Sequence, residues 1–349
     1  MNYSPDKDAK DQFIHKNMIV SIVIPVRNDV ENLKKCLYGI MQSTYPHYEC
    51  IIVDDGSTDE TPQVAQQFQV KMIKLSRSHG PAYARNQGAK AASGEILFFI
   101  DADIIVYPDT LSKVADTFEK RPDIDALIGS YDDDPGDSSF ISQYKNLFHH
   151  YVHQISSEEA GTFWTGCGAI RRKVFLAFGG FDTSYKRPAI EDIELGFRLA
   201  AGGHKILLQK LIQVKHLKRW TFWGLIKTDV FDRGVPWTKL MLRDRTFPMD
   251  LNLKISQRIS VILSYLMIFS LMTSAIFFRI PILALSLIVL FVLMMATLVL
   301  INHRFYKFFL AKRGFLFTVK MIPMHVLYYL YSGFSLILGM FAYAIEKKD

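Results

Sequence analysis

The chain is expected to be an α/β protein: an open, mostly parallel sheet flanked by helices, followed by C-terminal transmembrane helices. Three observations predict this. Short apolar runs and amphipathic stretches alternate through residues 19–216 with brief connections, as in parallel strands joined by crossover helices. Residues 96–100 form an unbroken apolar run, which suits a strand buried on both faces. Residues 259–278 and 281–301 carry no charge over 20 and 21 residues. At about 1.5 Å per residue, each is long enough to cross a hydrocarbon core of roughly 30 Å.

Taken in order, residues 1–18 read as a loose polar tail, neither a signal peptide nor a membrane anchor. The first strand, SIVIP at 21–25, is closed by a proline. Asn28 is placed to cap the next helix, with Glu31 as its capping-box partner, and Val30, Leu33, Leu37, Ile40 and Met41 recur at helical spacing. A second strand, ECIIVD at 49–54, runs into Asp54-Asp55-Gly56-Ser57, a turn that also caps a helix over 58–68. A weaker strand follows at 70–75, a small-residue helix at 80–92, the central strand ending at Ile100, and another strand at 123–129.

The acidic stretch 132–137 reads as a solvated turn. A helix is expected over 140–155, in which His149, His150 and His153 take ordinary packing and surface roles. Thr165-Gly166-Cys167-Gly168 precedes a helix over 169–178. Its Arg171-Arg172-Lys173 either meets phosphate on a lipid-linked acceptor or forms a solvated face. A further helix starts at 190–195, and 205–208 and 212–214 read as short strands. Residues 217–258 form a basic amphipathic interfacial segment; 12 Lys and Arg against 4 Asp lie between positions 204 and 258. After the uncharged pair, residues 302–320 hold Arg304, Lys307, Lys312, Arg313 and Lys320 among aromatics, an interfacial cytoplasmic loop. Residues 322–345 either span the membrane or lie partly at its surface.

Composition narrows the function. Half of the 349 residues are hydrophobic, and the formal charge is +7. A basic belt abutting apolar spans points to an anionic membrane surface, and no nucleic-acid motif accompanies it. Three cysteines without a CxxC pair suit a reducing compartment and offer neither a disulfide frame nor a zinc site. The spans hold no internal charge that would mark an ion path.

Ligands of open α/β sheets sit at the carboxyl ends of the strands. Pro25-Val26-Arg27-Asn28, Asp54-Asp55 and Asp101-Ala102-Asp103 all fall at such ends, so the topology brings them to one cleft. Two carboxylates one residue apart at the end of a buried strand repel each other. A divalent ion, Mg²⁺ or Mn²⁺, resolves this when a diphosphate supplies the remaining oxygens. The plainer alternative is a loop start and a helix cap. Asp192, beside Glu191 at a helix start, is either a general base or a carboxylate that complements the helix dipole. Trp220, Trp223 and Trp237 interleave with Lys218, Arg219 and Lys227. This mixture fits a membrane interface, with sugar stacking as the alternative for Trp237.

Four blocks, SIVIPVRND, IIVDDGSTD, ARNQGAKAASGEILFFIDAD and EDIELGFRL, resemble the family 2 glycosyltransferases, inverting enzymes with a Rossmann-like GT-A fold. The resemblance covers roughly residues 19–216. It implies that Pro25, Val26, Asn28, Asp54, Asp55, Arg85 and Asp101 bind the nucleotide. Asp55 would accept from a base N–H or a ribose hydroxyl, and Arg85 would brace the nucleotide or the metal loop. Asp101, Asp103 and His216 are implied as metal ligands, Asp192 as the catalytic base beside Glu191, and Trp164, Gly166, Arg233 and Trp237 as acceptor contacts. The chain departs from the processive synthases of the family. Where they carry Gln-x-x-Arg-Trp, this sequence reads Arg233-Gly234-Val235-Pro236-Trp237.

The expected function is therefore metal-assisted transfer of a sugar from a nucleotide-diphosphate sugar, with UDP favoured and GDP as the alternative. The acceptor would be a lipid-linked or cell-envelope glycan. The enzyme would be a multi-pass membrane protein with a cytoplasmic catalytic domain and no nucleic-acid partner. The competing readings are a polyprenyl-phosphate sugar synthase and a noncatalytic nucleotide-sugar-binding membrane scaffold.

Overall fold

The computed structural model describes residues 18–245 and 255–347. The expected tail at 1–17 and positions 246–254 of the basic segment lie outside the described residues.

The apolar run at 96–100 does become the buried centre. Strands β1 (Val20–Val26), β2 (Tyr48–Asp54), β3 (Lys71–Lys74) and β4 (Ile96–Phe99) form a parallel half-sheet in the order β3-β2-β1-β4. Alternate residues of each strand point to opposite faces. Ile22, Ile24, Ile52 and Phe98 meet helices α1 (Val30–Met41) and α4 (Thr110–Lys120). Val23, Ile51, Val53, Leu97 and Phe99 meet α3 (Pro81–Ala91), α6 (Arg172–Ala177) and α7 (Glu191–Ala201).

Beyond β4 the sheet is mixed. β5 (Ile104–Val106), β6 (Ala126–Tyr131), β7 (Glu159–Ala160), β8 (Gly168–Arg171) and β9 (Ile206–His216) extend it as β4-β8-β6-β9-β5, with β7 also on β9. β6 and β9 pair in parallel, whereas β4–β8, β6–β8, β5–β9 and β7–β9 are antiparallel.

Several local expectations are corrected. Residues 169–171, expected to open a helix, belong to a strand, because pairing between β4 and β6 buries Ala169 and Ile170 and outweighs helical spacing. The two short strands at 205–214 are one, β9. Asp29, not Asn28, caps α1, accepting from the Asn32 amide at 3.4 Å. Asn28 instead takes a positive φ of 52° and ties the strand end to the next turn. The helix expected over 58–68 is one short piece, α2 (Thr61–Ala65). The acidic stretch is no solvated turn: Asp132 is buried against the Tyr107 hydroxyl and Lys215, and Asp133 pairs with Lys312. Of the three histidines on α5 (Phe140–Ile155), His150 and His153 are buried, with Nδ1 on the carbonyls of Tyr131 and Gly129.

The chain then makes α8 (Phe222–Lys227), a π-helical turn (Thr228–Gly234) and α9 (Val235–Asp244). Three helices long and apolar enough to cross a membrane follow: α10 (Ile255–Ile276), α11 (Pro281–Ile301) and α12 (His303–Glu346). The loop expected at 302–320 is helical and continuous with the third apolar stretch. It is broken only at Gly314, whose φ of 79° suits glycine. Just before that break, Arg313 donates to Gln143 at 2.6 Å and to the Asp133 carbonyl at 3.0 Å, fastening α12 to the sheet domain.

Candidate functional site

The parallel strand ends create the rim. Val26 pairs with Asp54 in register, and the Asp55 amide donates to the Val26 carbonyl at 2.8 Å. This places Pro25, Val26, Asn28, Asp54 and Asp55 side by side. Asn28 Oδ1 accepts from the Thr58 amide at 2.8 Å, and its own amide donates to Ser57 Oγ at 2.9 Å. Asp54 accepts from the Ser57 amide with one oxygen, while Oδ2 is buried with no hydrogen-bond partner among the described residues. Asp55, expected to face a nucleobase, has both oxygens engaged: Oδ1 by the His79 amide (2.7 Å), Oδ2 by Ser78 Oγ (2.7 Å) and the Gly80 amide (2.9 Å). It pins the 78–80 loop to the rim.

Arg85 joins the two acidic blocks. It lies on α3, only 4% exposed, with Nη1 on Glu191 Oε1 (2.8 Å) and Nη2 on Asp101 Oδ1 (2.7 Å). Its guanidinium also lies 5.8 Å from the Phe181 ring centroid. Glu191 spends its second oxygen on the Ala189 amide at 2.9 Å. This carboxylate therefore holds Arg85 and the start of α7.

Asp192 is cradled by a residue the sequence did not single out. Its Oδ2 accepts from the Thr165 amide (3.0 Å) and Thr165 Oγ1 (3.2 Å). Burial, reinforced by the neighbouring Glu191 charge, pushes its carboxyl up to about 6, against the pull of the Thr165 amide and Arg85. The only hint in the sequence was that Thr165 opens the Thr-Gly-Cys-Gly segment.

Asp103 faces His216, Oδ2 to Nε2 at 3.6 Å. Although burial opposes it, His216 and then Lys218 hold the Asp103 carboxyl below its ordinary range. Asp101 moves the other way: burial raises it, opposed by Arg85 and aided by Asp103. Two carboxylates and an imidazole are a fitting donor set for Mg²⁺ or Mn²⁺. Among the described residues no group of three or more His, Cys, Asp or Glu side chains is placed to hold a metal ion, so a bound ion would draw most of its oxygens from a ligand.

An aromatic wall lines this end. The Tyr131 ring stacks on His216 (4.2 Å, 5°) and meets Trp164 edge-on (4.8 Å, 84°), with His149 at 4.7 Å from Trp164. Gly166 lies against the Trp164 indole, where a Cβ would collide with the ring. Trp237 packs beside Ile190, Ile193 and Phe197 and so buttresses α7, while Arg233 reaches Asp229 at 3.7 Å. A cavity of about 550 Å³ beside Tyr107, Asp109, Lys113 and Asp132 contains none of the strand-end residues.

The family model described as Glycosyl transferase family 2 matches residues 21–178. The glycosyltransferase GlyG of Streptococcus pneumoniae is 31% identical over 118 residues, 32% of this chain and 39% of that protein. AglE of Haloferax volcanii is 38% identical over 105 residues, 28% of this chain and 34% of its own. The match thus spans well under half the length of these curated relatives. Among solved structures, the mannosyltransferase PcManGT from Pyrobaculum calidifontis superposes with a TM-score of 0.56 at 18% identity, covering 94% of this chain and 87% of that one. TarS of S. aureus in complex with UDP-GlcNAc gives 0.51 at 18% identity and 64% of each chain. The fold is the GT-A fold.

Proposed function

We propose, from the match of residues 21–178 to the Glycosyl transferase family 2 model, that the chain transfers a sugar, with inversion, from a nucleotide-diphosphate sugar to a hydroxyl on a lipid-linked or cell-envelope glycan. Residues 19–216 form the catalytic unit, 217–258 an interfacial segment, and 259–349 the membrane region. The observation that carries this reading is Asp192: a carboxyl brought to about 6, fixed by Thr165 and joined through Glu191 and Arg85 to Asp101. A base near neutrality, held in place, is what proton removal from a sugar hydroxyl requires.

Asp192 takes that proton as the hydroxyl attacks the anomeric carbon. Pro25, Val26, Asn28, Asp54 and Asp55 frame the nucleoside, with the 78–80 loop pinned by Asp55 shaping its edge. Asp103 and His216, with Asp101, would hold a divalent ion, which would supply positive charge to the leaving diphosphate. Arg85 fixes the spacing between these carboxylates and the base. The ligands named for neighbours of this fold, UDP-GlcNAc in TarS and GDP-Man in PcManGT, support a nucleotide-sugar donor of either base. UDP is preferred here. The basic residues Arg304, Lys307, Lys312 and Arg313 after α11 support a catalytic unit on the cytoplasmic face.

Single-turnover transfer in detergent tests the assignment. Asp192→Asn is expected to lower the rate by about 10²-fold or more while donor affinity stays unchanged. If the variant keeps its activity, the acceptor is an already ionised phosphate and the polyprenyl-phosphate reading takes over. Metal-dependent hydrolysis or transfer in the wild type, absent in Asp103→Ala, removes the scaffold reading.

A further inference from the structure

Where α5, α10, the end of α11 and the start of α12 meet, there is a cavity of about 160 Å³ that contains no residue of the donor cleft. One face of α5 lines it: Phe148, Tyr151, Val152 and Ile155 recur at helical spacing. The other face of α5 carries His149 and His153 to Trp164, with ring centroids at 4.7 and 5.1 Å. The helix therefore stands between this cavity and the aromatic wall of the cleft. Ile301 and Phe305 complete the apolar lining, at the end of α11 and the start of α12. These helices and α10 are each long and apolar enough to cross a membrane, so the cavity lies where the apolar helices meet the sheet domain.

The polar groups around it divide into those already committed and those left over. Asn302 donates to Ser260 Oγ and to the Leu298 carbonyl, both at 3.0 Å, and accepts from the Tyr329 hydroxyl at 2.9 Å. His325, 1% exposed, has Nδ1 at 3.0 Å from the Tyr306 hydroxyl and lies 4.4 and 4.5 Å from the Phe305 and Tyr329 rings. These two side chains are fixed. Gln257 is not: its Oε1 is buried with no hydrogen-bond partner among the described residues. A buried acceptor left in this state costs roughly 1–3 kcal/mol, which an incoming N–H or O–H recovers. Arg304 lines the same cavity, is exposed, and has no ion-pair partner among the described residues. What remains uncommitted is one cation and one buried acceptor in a small, mainly apolar chamber.

We infer that this cavity binds the headgroup of a bilayer glycerophospholipid, at a site separate from both donor and acceptor. Arg304 receives the phosphate through charge-assisted hydrogen bonds. Gln257 Oε1 accepts from an ammonium N–H or a hydroxyl of the headgroup, and the acyl root rests on Ile301 and on Ile155, which is 47% exposed. The unfilled acceptor sets the class of lipid. Ethanolamine and glycerol heads carry a hydrogen-bond donor beyond the phosphate, whereas choline has the phosphate and no N–H or O–H. A bilayer lipid fits better than a free phosphate ester because the walls are aromatic and aliphatic and the neighbouring helices are apolar. The inference does not depend on the glycosyltransferase reading.

The test is native mass spectrometry of the full chain in a nonionic detergent. The probes are phosphatidylethanolamine, phosphatidylglycerol and phosphatidylcholine with identical acyl chains, and phosphoethanolamine as a headgroup without chains. Saturable binding of the ethanolamine and glycerol lipids is expected, with the choline lipid at least about tenfold weaker. Ethanolamine and choline lipids carry the same net charge, so their comparison isolates the hydrogen bond to Gln257. Gln257→Leu is expected to erase that difference while leaving the unfolding midpoint of the lipid-free protein unchanged, because the deleted carbonyl has no bond to lose. Arg304→Gln is expected to weaken all three lipids about tenfold. Equal affinity for the choline lipid leaves only an apolar slot, binding that never saturates leaves only loosely surrounding lipid, and phosphoethanolamine bound as tightly as the lipids leaves only a free-anion site. Discrimination that survives Gln257→Leu, or Arg304→Gln without effect, removes the named contacts. Displacement of lipid by UDP with Mn²⁺ assigns the cavity to the donor. Each of these results overturns the inference, and the comparison of lipids on the wild type decides it even if a variant fails to fold.

Discussion

At the scale of single residues, the proposed chemistry turns on Asp192 and Arg85. Because burial and then Glu191 raise the Asp192 carboxyl to about 6, its ionised, proton-accepting form grows from about a tenth at pH 5 to about nine tenths at pH 7. Transfer rate is therefore expected to rise through pH 6 and level off above it, as a pH–rate profile at saturating donor will show. Thr165→Val deletes the hydroxyl that stabilises the charged form, so the rising limb should move to higher pH. A limb that stays in place would mean another group limits the rate. Arg85→Ala leaves Glu191 buried at 3% exposure with its charge unpaired. The expected loss is about 3–5 kcal/mol of stability, measured by denaturant or thermal unfolding. Arg85→Lys should recover only part, since one ammonium cannot span both carboxylates in a fork. The sequence made Arg85 a brace without naming its partners. Its bond to Glu191 crosses 106 positions, and no local pattern encodes such a distance.

At the scale of elements, the interfacial segment is held to α12 by close approach. Gly234 of the π-turn lies where a Cβ would collide with Ser335, and Gly339 lies against Thr238 in the same way. Small residues four apart on each helix let the two backbones come near. Gly234→Val must force the segment off α12 and should destabilise the protein by about 1–3 kcal/mol, visible as a lower unfolding midpoint in detergent. Gly339→Ala, against the same interface, should do so more mildly. Continuous apolar runs, buried on both faces, made β1, β2 and β4 readable from their own residues. β8 was not, because Gly168–Arg171 is a strand only through its neighbours β4 and β6. Asp132–Asp134 looked like a solvated turn for a similar reason: the cations that meet it, Lys215 and Lys312, lie about 80 and 180 positions away.

At the scale of the whole molecule, the sheet domain and the long apolar helices share a core. Tyr144, Leu147 and Phe148 of α5 pack with Trp220 and with Phe305, Tyr306 and Phe309 of α12. A chain cut after position 245 uncovers that aromatic face and is expected to aggregate. The full chain should sediment with membranes and resist alkaline extraction; recovery of the truncated form as a stable monomer, by light scattering, would show the shared core to be dispensable. The α/β class, the strand-end acids, the basic belt and the uncharged spans were all fixed by local sequence, because strand burial, helix period and span length are short-range properties of the chain. Tertiary structure alone decided what each acid is tied to: Asp192 on Thr165, Glu191 on Arg85, Asp55 on the 78–80 loop, and Asp229 between α5 and α12. Those outcomes depend on burial and on partners brought together by folding, and the charge of an acidic side chain is governed by such surroundings rather than by its neighbours along the chain.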